Sequence, residues 1–281
     1  MSEVSIVIAT RDRRRELLHT LGRLATLDGR PPVIVVDNAS SDGTPEAVRA
    51  EHPDVALVTL DCNLAAAART VGARQAATPY VAFSDDDSWW APGALERAQG
   101  HFAGTPRMAL LAARILVGPE ERLDPTCTAM AASPLQDGTG LPGPPILGFV
   151  ACGAVVRRAA FLAAGGFSQR LGIGCEESLL ALDLAAAGWS LAYADDVVAH
   201  HHPVPGPRPG RDALLLRNEL LVTWLRRPAR VAAAATARAL RQGHLPAVAA
   251  AARALPWVLR ERRVLPARVE AAARRLDRSR T

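Results

Sequence analysis

Val81-Ala82-Phe83-Ser84-Asp85-Asp86-Asp87-Ser88-Trp89-Trp90 is an apolar run that leads straight into three consecutive carboxylates. Tyr80 to Ser84 reads as a buried strand, and ending it in Asp-Asp-Asp sets three like charges side by side, an arrangement expected where a cation neutralises them. Strand periodicity turns Asp85 and Asp87 one way and Asp86 the other. The outer pair can then offer oxygens to one hard divalent ion, with Mg²⁺ or Mn²⁺ better suited than zinc. Phosphate oxygens fill the positions such an ion leaves open. The same residues, followed by Pro92, also suit a solvated acidic loop or a helix cap.

Upstream, strand and helix patterns alternate. Val4 to Ala9 is a continuous β-rich run followed by the polar Thr10-Arg11-Asp12-Arg13, and Leu17, Leu18, Leu21 and Leu24 then fall at helical spacing. Val33 to Val36 is a second buried strand closing on Asp37-Asn38-Ala39-Ser40-Ser41-Asp42-Gly43-Thr44, with Thr44 a cap before Pro45. Val55 to Leu60 gives a third strand and Leu64 to Ala76 an Ala-rich helix, before Tyr80 to Ser84. This alternation predicts an α/β fold with a mostly parallel sheet flanked by helices. Ligands of such sheets lie at the carboxyl ends of the strands, so Asp12, Asp37 and Asp85 to Asp87 should line one crevice.

Downstream, Pro92 to Phe102 suits a helix and Met108 to Val117 a strand, while the Pro- and Gly-rich 118–148 reads as a long loop. Phe149 to Val156 is strand-like, a short helix follows to Ala164, and Gly165-Gly166-Phe167 ends it. Glu176-Glu177 opens a strongly helical stretch. Leu191 to Ala194 and Val197 to Ala199 are short strands that end on His200-His201-His202. After the Pro-rich linker 203–210, the segment 211–281 is an α-helical extension of Ala, Leu and Arg.

The chain has 281 residues and a net charge of +5, and all 33 of its basic residues are Arg. From Arg211 to Thr281, 16 Arg face five acids, so that extension carries the positive charge and the remainder is acidic. A basic, amphipathic tail with Trp224, Leu225, Trp257 and Leu259 among the arginines fits an anionic membrane surface, and equally a set of solvated helix faces. It shows no nucleic-acid-binding module, so no nucleic acid is expected. The four cysteines are far apart in sequence, and no apolar run is long enough to span a bilayer. The expectation is a cytoplasmic protein, at most peripheral at the inner face of the membrane.

The order of these motifs resembles the family 2 glycosyltransferases of the GT-A fold, inverting enzymes that use nucleotide sugars. The resemblance rests on Ser5 to Arg13, Val35 to Thr44, Asn63 to Arg69, Phe83 to Asp87, Gly165-Gly166-Phe167, Glu176-Glu177 and Gly188-Trp189, and spans about residues 4 to 202. Two positions depart from the family pattern: Ala65 stands where a Gly is usual, and Thr70 where an Asn is common. The resemblance implies a nucleotide-sugar-binding part, 1–117, and an acceptor and base part, 118–202. It implies that Thr10, Arg11, Asp12, Asp37, Asn38, Arg69, Asp85 and Asp86 bind the nucleotide, and that Asp85 and Asp87 hold Mn²⁺ or Mg²⁺, completed by His200 or His202. Glu177 or Glu176 would be the base that takes the acceptor proton, and Trp89 and Trp90 would stack on the acceptor or simply pack.

The expected reaction is metal-dependent, inverting transfer of a sugar from a nucleoside diphosphate sugar to a hydroxyl of a glycan, lipid-linked sugar or natural product. UDP is the commonest donor base in the family, with dTDP and GDP behind it. A sugar nucleotidyltransferase is the rival enzyme, weakened because Ala9 to Arg15 contains no Gly for a phosphate loop. A non-catalytic nucleotide-sugar-binding protein on the same fold is the other.

Overall fold

The computed structural model describes residues 2–136, 140–204, 206 and 210–279. The first half runs β1 (Val4–Thr10), α1 (Arg14–Leu24), β2 (Val33–Asp37), α2 (Thr44–Glu51), β3 (Ala56–Thr59), α3 (Ala68–Gln75), β4 (Tyr80–Ser84), β5 (Ser88–Trp90), α4 (Ala94–Gly104) and β6 (Met108–Val117). It continues with β7 (Arg122–Leu123), α5 (Pro125–Ala131), β8 (Ala154–Arg157), α6 (Arg158–Ala163), α7 (Glu176–Ala186) and β9 (Ser190–His201). Among the described residues, five helices follow: α8 (Arg211–Arg226), α9 (Ala229–Arg241), α10 (Leu245–Ala252), α11 (Leu255–Glu261) and α12 (Ala267–Ser279).

The strands form one sheet in the order β3-β2-β1-β4-β8-β6-β9-β5, with β7 on β6. Strands β3, β2, β1 and β4 are mutually parallel, as the βαβ alternation requires, whereas β8 runs antiparallel to both β4 and β6. The sheet is therefore mixed. Alternate residues of β1 feed opposite layers: Ile6 and Ile8 pack with Leu17, Leu21 and Leu24 of α1, and Val7 joins the core on the other face. On that second face α3 lies so close that a Cβ at Gly72 would stand 2.5 Å from Val7 and 3.0 Å from Val36.

Several sequence expectations change. Segment 118–148 is not loop throughout, because Asp124 caps a short helix by accepting from Thr126 N, with Pro125 at its first turn. The expected strand before Val156 begins as a 3-10 turn, Ala151–Gly153. The two short strands ending on the histidines are one strand, β9, with an irregularity after Ala194 that pushes Asp195 and Asp196 out and restores pairing at Val198. Ser88-Trp89-Trp90 is a strand pairing with β9 rather than a helix cap. Thr44 is not the cap of α2; Asp42 accepts from the Thr44 N–H and hydroxyl instead. Of the expected linker, residues 205 and 207–209 lie outside the described residues.

The C-terminal helices pack on the sheet domain. Leu179 and Leu182 of α7 share a core with Leu220, Leu221, Leu225, Trp257 and Val258. Arg227, only 10% exposed, joins Glu270 and Asp277 at 2.6 and 2.8 Å and ties α8 to α12. Leu225 and Trp257 are thus core residues, and Trp224 donates its indole N–H to Thr236, while Leu259 stays 73% exposed.

Candidate active site

The parallel block sets the carboxyl ends of β2, β1 and β4 side by side. Thr10 pairs with Asp37 across β1 and β2, and Ile8 with Ser84 across β1 and β4. Asp37 is buried at the end of β2. One of its oxygens accepts from Ser40 N at 3.0 Å, and the other, Oδ1, has no partner. A buried carboxylate oxygen left without a donor is costly, and it marks the position of an absent N–H or O–H.

Neighbouring residues hold the walls of this crevice. Asn38 spends both ends of its amide on the next loop, accepting from Leu64 N at 3.0 Å and donating to Ala65 O. Ala65 has φ +51°, a conformation that favours glycine. Asp12 accepts from Ser41 N at 2.7 Å and so fastens the loop after β2, while Arg11 is exposed beside it.

The acidic residues after β4 form a turn in which each carboxylate has a cation. Arg69, from α3, pairs with Asp85. Arg13 bridges Asp86 at 2.7 Å and Asp87 at 2.6 Å. Asp86 is buried and accepts from the Thr10 hydroxyl at 2.9 Å; its burial, against the charge of Arg13, pushes its pKa up to about 7. Burial also acts upward on Asp87, but His201, 3.3 Å away, and Arg13 outweigh it and hold this carboxyl below its usual range. Burial opposes a charge on His201, and Asp87 overcomes that and raises the imidazole pKa.

The triplet calls for a cation on sequence grounds alone, and the structure adds that Arg13 and Arg69 supply two positive charges. The family resemblance implies His200 or His202 at the metal, and the structure places these elsewhere. Because β9 stays extended and Trp89 pairs with His200, the odd-numbered His201 faces the acids. His200 stacks on Trp89 with ring centres 5.7 Å apart, and His202 lies against the same ring. Both line a cavity of about 410 Å³ with Trp89, Arg23 and Glu121. Trp90 is 1% exposed and packs in the core.

Glu176 and Glu177 occupy the first turn of α7, after Cys175 at φ +67°. Burial, first, raises the pKa of both, and the charge of Glu176 adds to the shift on Glu177. The guanidinium of Arg69 lies within electrostatic reach of both and is ion-paired to Asp85, so it links the acidic turn to this carboxyl pair. Thr70, next in α3, accepts from Phe167 N at 2.9 Å and anchors the Gly165-Gly166-Phe167 turn.

A ring nitrogen of His201, an oxygen of Asp85 and Cys152 Sγ all lie within 4.8 Å of one another. Asp85 and His201, with Asp87 3.3 Å from the same imidazole, supply carboxylate and nitrogen donors of the kind a divalent cation takes. Burial and the Asp85 charge raise the Cys152 thiol well above its ordinary value. Sequence spacing could not have pointed to Arg13 as a bridge or to Cys152 as a neighbour, since both contacts are made only by the sheet order.

The Glycosyl transferase family 2 profile matches residues 5–163, more than half of the chain. This protein belongs to glycosyl transferase family 2. Among the relatives of this family 2 member is the N-acetylglucosaminyl-diphospho-decaprenol L-rhamnosyltransferase of Mycobacterium tuberculosis, 27% identical over 241 residues, covering 72% of this chain and 77% of its own. Two solved structures share the fold. One is the mannosyltransferase PcManGT from Pyrobaculum calidifontis in complex with GDP-Man and Mn²⁺, with 23% identity, a TM-score of 0.60 and coverage of 99% of this chain and 88% of its own. The other is S. aureus TarS 1–349 in complex with UDP, with 18% identity, a TM-score of 0.59 and coverage of 79% and 65%. The fold is GT-A, and the family activity is transfer of a sugar from a nucleotide sugar. Among the described residues no helix is long and apolar enough to cross a membrane.

Proposed function

We propose that this enzyme transfers a hexose or deoxyhexose, with inversion and with Mg²⁺ or Mn²⁺, from a nucleoside diphosphate sugar to a hydroxyl of a lipid-linked acceptor. The observation that carries the reading is the convergence, at the carboxyl ends of β1, β2 and β4, of the unpartnered Asp37 oxygen, the Asp85–Asp87 turn and the Arg69-linked Glu176-Glu177 pair.

In this reading Asp37 Oδ1 accepts from the base or ribose, while Ser40 N–H holds its other oxygen and Thr10 and Asn38 fix the neighbouring turns. Asp85, Asp87 and His201 would hold the cation, which when bound supplies charge neutralisation for the departing diphosphate. Arg69 is the fixed positive charge beside that diphosphate. Glu177 takes the proton of the acceptor hydroxyl as its oxygen attacks the anomeric carbon and the bond to the diphosphate breaks with its electron pair. A buried carboxyl pair with raised pKa fits that task, because a stronger base results.

The lipid-linked acceptor is supported by the Mycobacterium relative, whose name gives it a decaprenyl diphosphate substrate. It is also supported by the exposed Leu240, Leu245, Leu255 and Leu259 of the C-terminal helices and Val264 between α11 and α12, which stand among arginines. Such a surface rests on anionic lipid. Flotation with anionic vesicles at low salt tests this part, and recovery of all protein away from the vesicles would refute it.

The core of the reading is tested by thermal stability against UDP, dTDP, GDP and their sugars, with Mn²⁺, Mg²⁺ or EDTA. A ligand bound only by the folded state raises the melting temperature by mass action. One nucleotide series should give a metal-dependent rise that Asp87→Asn abolishes. No rise with any nucleotide overturns the reading.

A further inference from the structure

Cys152 is 1% exposed, yet its sulfur faces Asp85 and His201, and nothing in sugar transfer uses a thiol. Three elements bring these groups together: the turn after β4, the 3-10 turn before β8, and the end of β9. The Cys152 turn cannot draw back. A Cβ on the adjacent Gly153 would stand 2.6 Å from Ile115 of β6, so the turn is packed directly on the sheet. The Arg69 ion pair engages Asp85 through Oδ1 and leaves the other oxygen of that carboxylate for a further partner.

We propose that Cys152 makes the cation site a mixed oxygen, nitrogen and sulfur site, which takes a zinc-class ion through Asp85, His201 and Cys152 more tightly than it takes Mg²⁺ or Mn²⁺. One carboxylate, one imidazole and one thiolate are the donors zinc prefers, and three protein ligands leave a fourth position open. Bonds of about 2.0 to 2.3 Å set tetrahedral donors about 3.5 Å apart, so donors within 4.8 Å need only side-chain rotation to close. Affinity also rises from Mn²⁺ to zinc for such sites in general. On binding, the thiol proton is released to solvent. The ion occupies Asp85 and His201, so it competes with the hard cation of the transfer reaction and inhibits. That consequence rests on the function proposed above; the binding itself does not.

The test uses the full-length, metal-free protein titrated with Co²⁺, which reports thiolate ligation by a near-ultraviolet charge-transfer band. The band should be present in the parent and in Cys62→Ser, be displaced by Zn²⁺, and vanish in Cys152→Ser, with zinc affinity lowered by at least about tenfold. The Mn²⁺-dependent melting shift with nucleotide should persist in Cys152→Ser, which also shows that the variant is folded. A parent protein without the band, or a band that survives in Cys152→Ser, overturns the proposal. A band with no Mn²⁺ shift in any protein leaves this inference standing and removes the hard-cation reading instead.

Discussion

Replacing Glu176 by Gln keeps the shape of the first turn of α7 and removes one of its two carboxyls. In the parent, Glu176 is 4% exposed and its Oε2 has no partner. Burial and then the Glu176 charge raise the Glu177 pKa, so without that charge Glu177 should ionise at lower pH. Two carboxylates a few ångströms apart at an effective dielectric near 20 repel by up to about 4 kcal/mol. Solvent screening reduces that to about 1–3 kcal/mol, or roughly one to two pH units. The acidic limb of kcat/KM should move down by that amount, because the base acts when deprotonated. The stability sign follows from the same shift. A carboxyl whose folded pKa is raised favours the folded state at low pH, and that contribution is lost as pH rises from the unfolded value through the folded one. Glu176→Gln should therefore gain about 1–2 kcal/mol over the parent in urea unfolding at pH 9, and little at pH 4. Glu177→Gln should instead lower transfer by about 10²- to 10⁴-fold. An acidic limb that does not move, or a Glu176→Gln loss as large as that of Glu177→Gln, refutes Glu177 as the base.

Three further outcomes follow from the packing. Arg13→Ala should destabilise by about 2 kcal/mol, less than for a fully buried pair because Arg13 is 29% exposed, and Mn²⁺ should restore part of that in thermal melts. Arg13 holds the Asp86 pKa down to about 7, so in the variant that carboxyl should titrate higher still and the deficit should grow as pH rises above about 7. Ala65→Gly should raise stability by about 0.5–1 kcal/mol in urea titrations, since φ +51° strains any residue with a Cβ. Burial acts upward on Glu270, but Arg227 and Arg274 outweigh it and lower its pKa, so the docking of α12 should weaken as pH falls below the usual carboxylate range. Arg227→Ala should reduce that acid sensitivity, leaving the part that Arg274 supplies, at a cost of about 2–4 kcal/mol measured by urea unfolding.

The strands that carry the site were legible because β1, β2 and β4 are buried on both faces and read as continuous apolar runs. The acids at their ends followed from that. The mixed character of the sheet was not legible, since β8 is four residues long and shows no alternation. His201 was missed because a triplet of histidines leaves the facing residue to strand register, and register is fixed by the pairing of Trp89 with His200. The sequence leaves Trp89 and Trp90 open between stacking on an acceptor and packing; β5 buries both, with Trp89 at the wall of the cavity that His200 and His202 line. The role of Arg13 is not legible in the sequence, because its partners lie more than seventy residues away.

The most direct measurement is product formation from the nucleotide sugar that gives the largest melting shift, mixed with a short-chain prenyl diphosphate sugar and Mn²⁺. Nucleoside diphosphate should be released together with a glycosylated product of inverted anomeric configuration, absent with EDTA and in Asp87→Asn, and greatly reduced in Glu177→Gln. Transfer at an undiminished rate in Asp87→Asn, or a product that retains configuration, would contradict the proposed function.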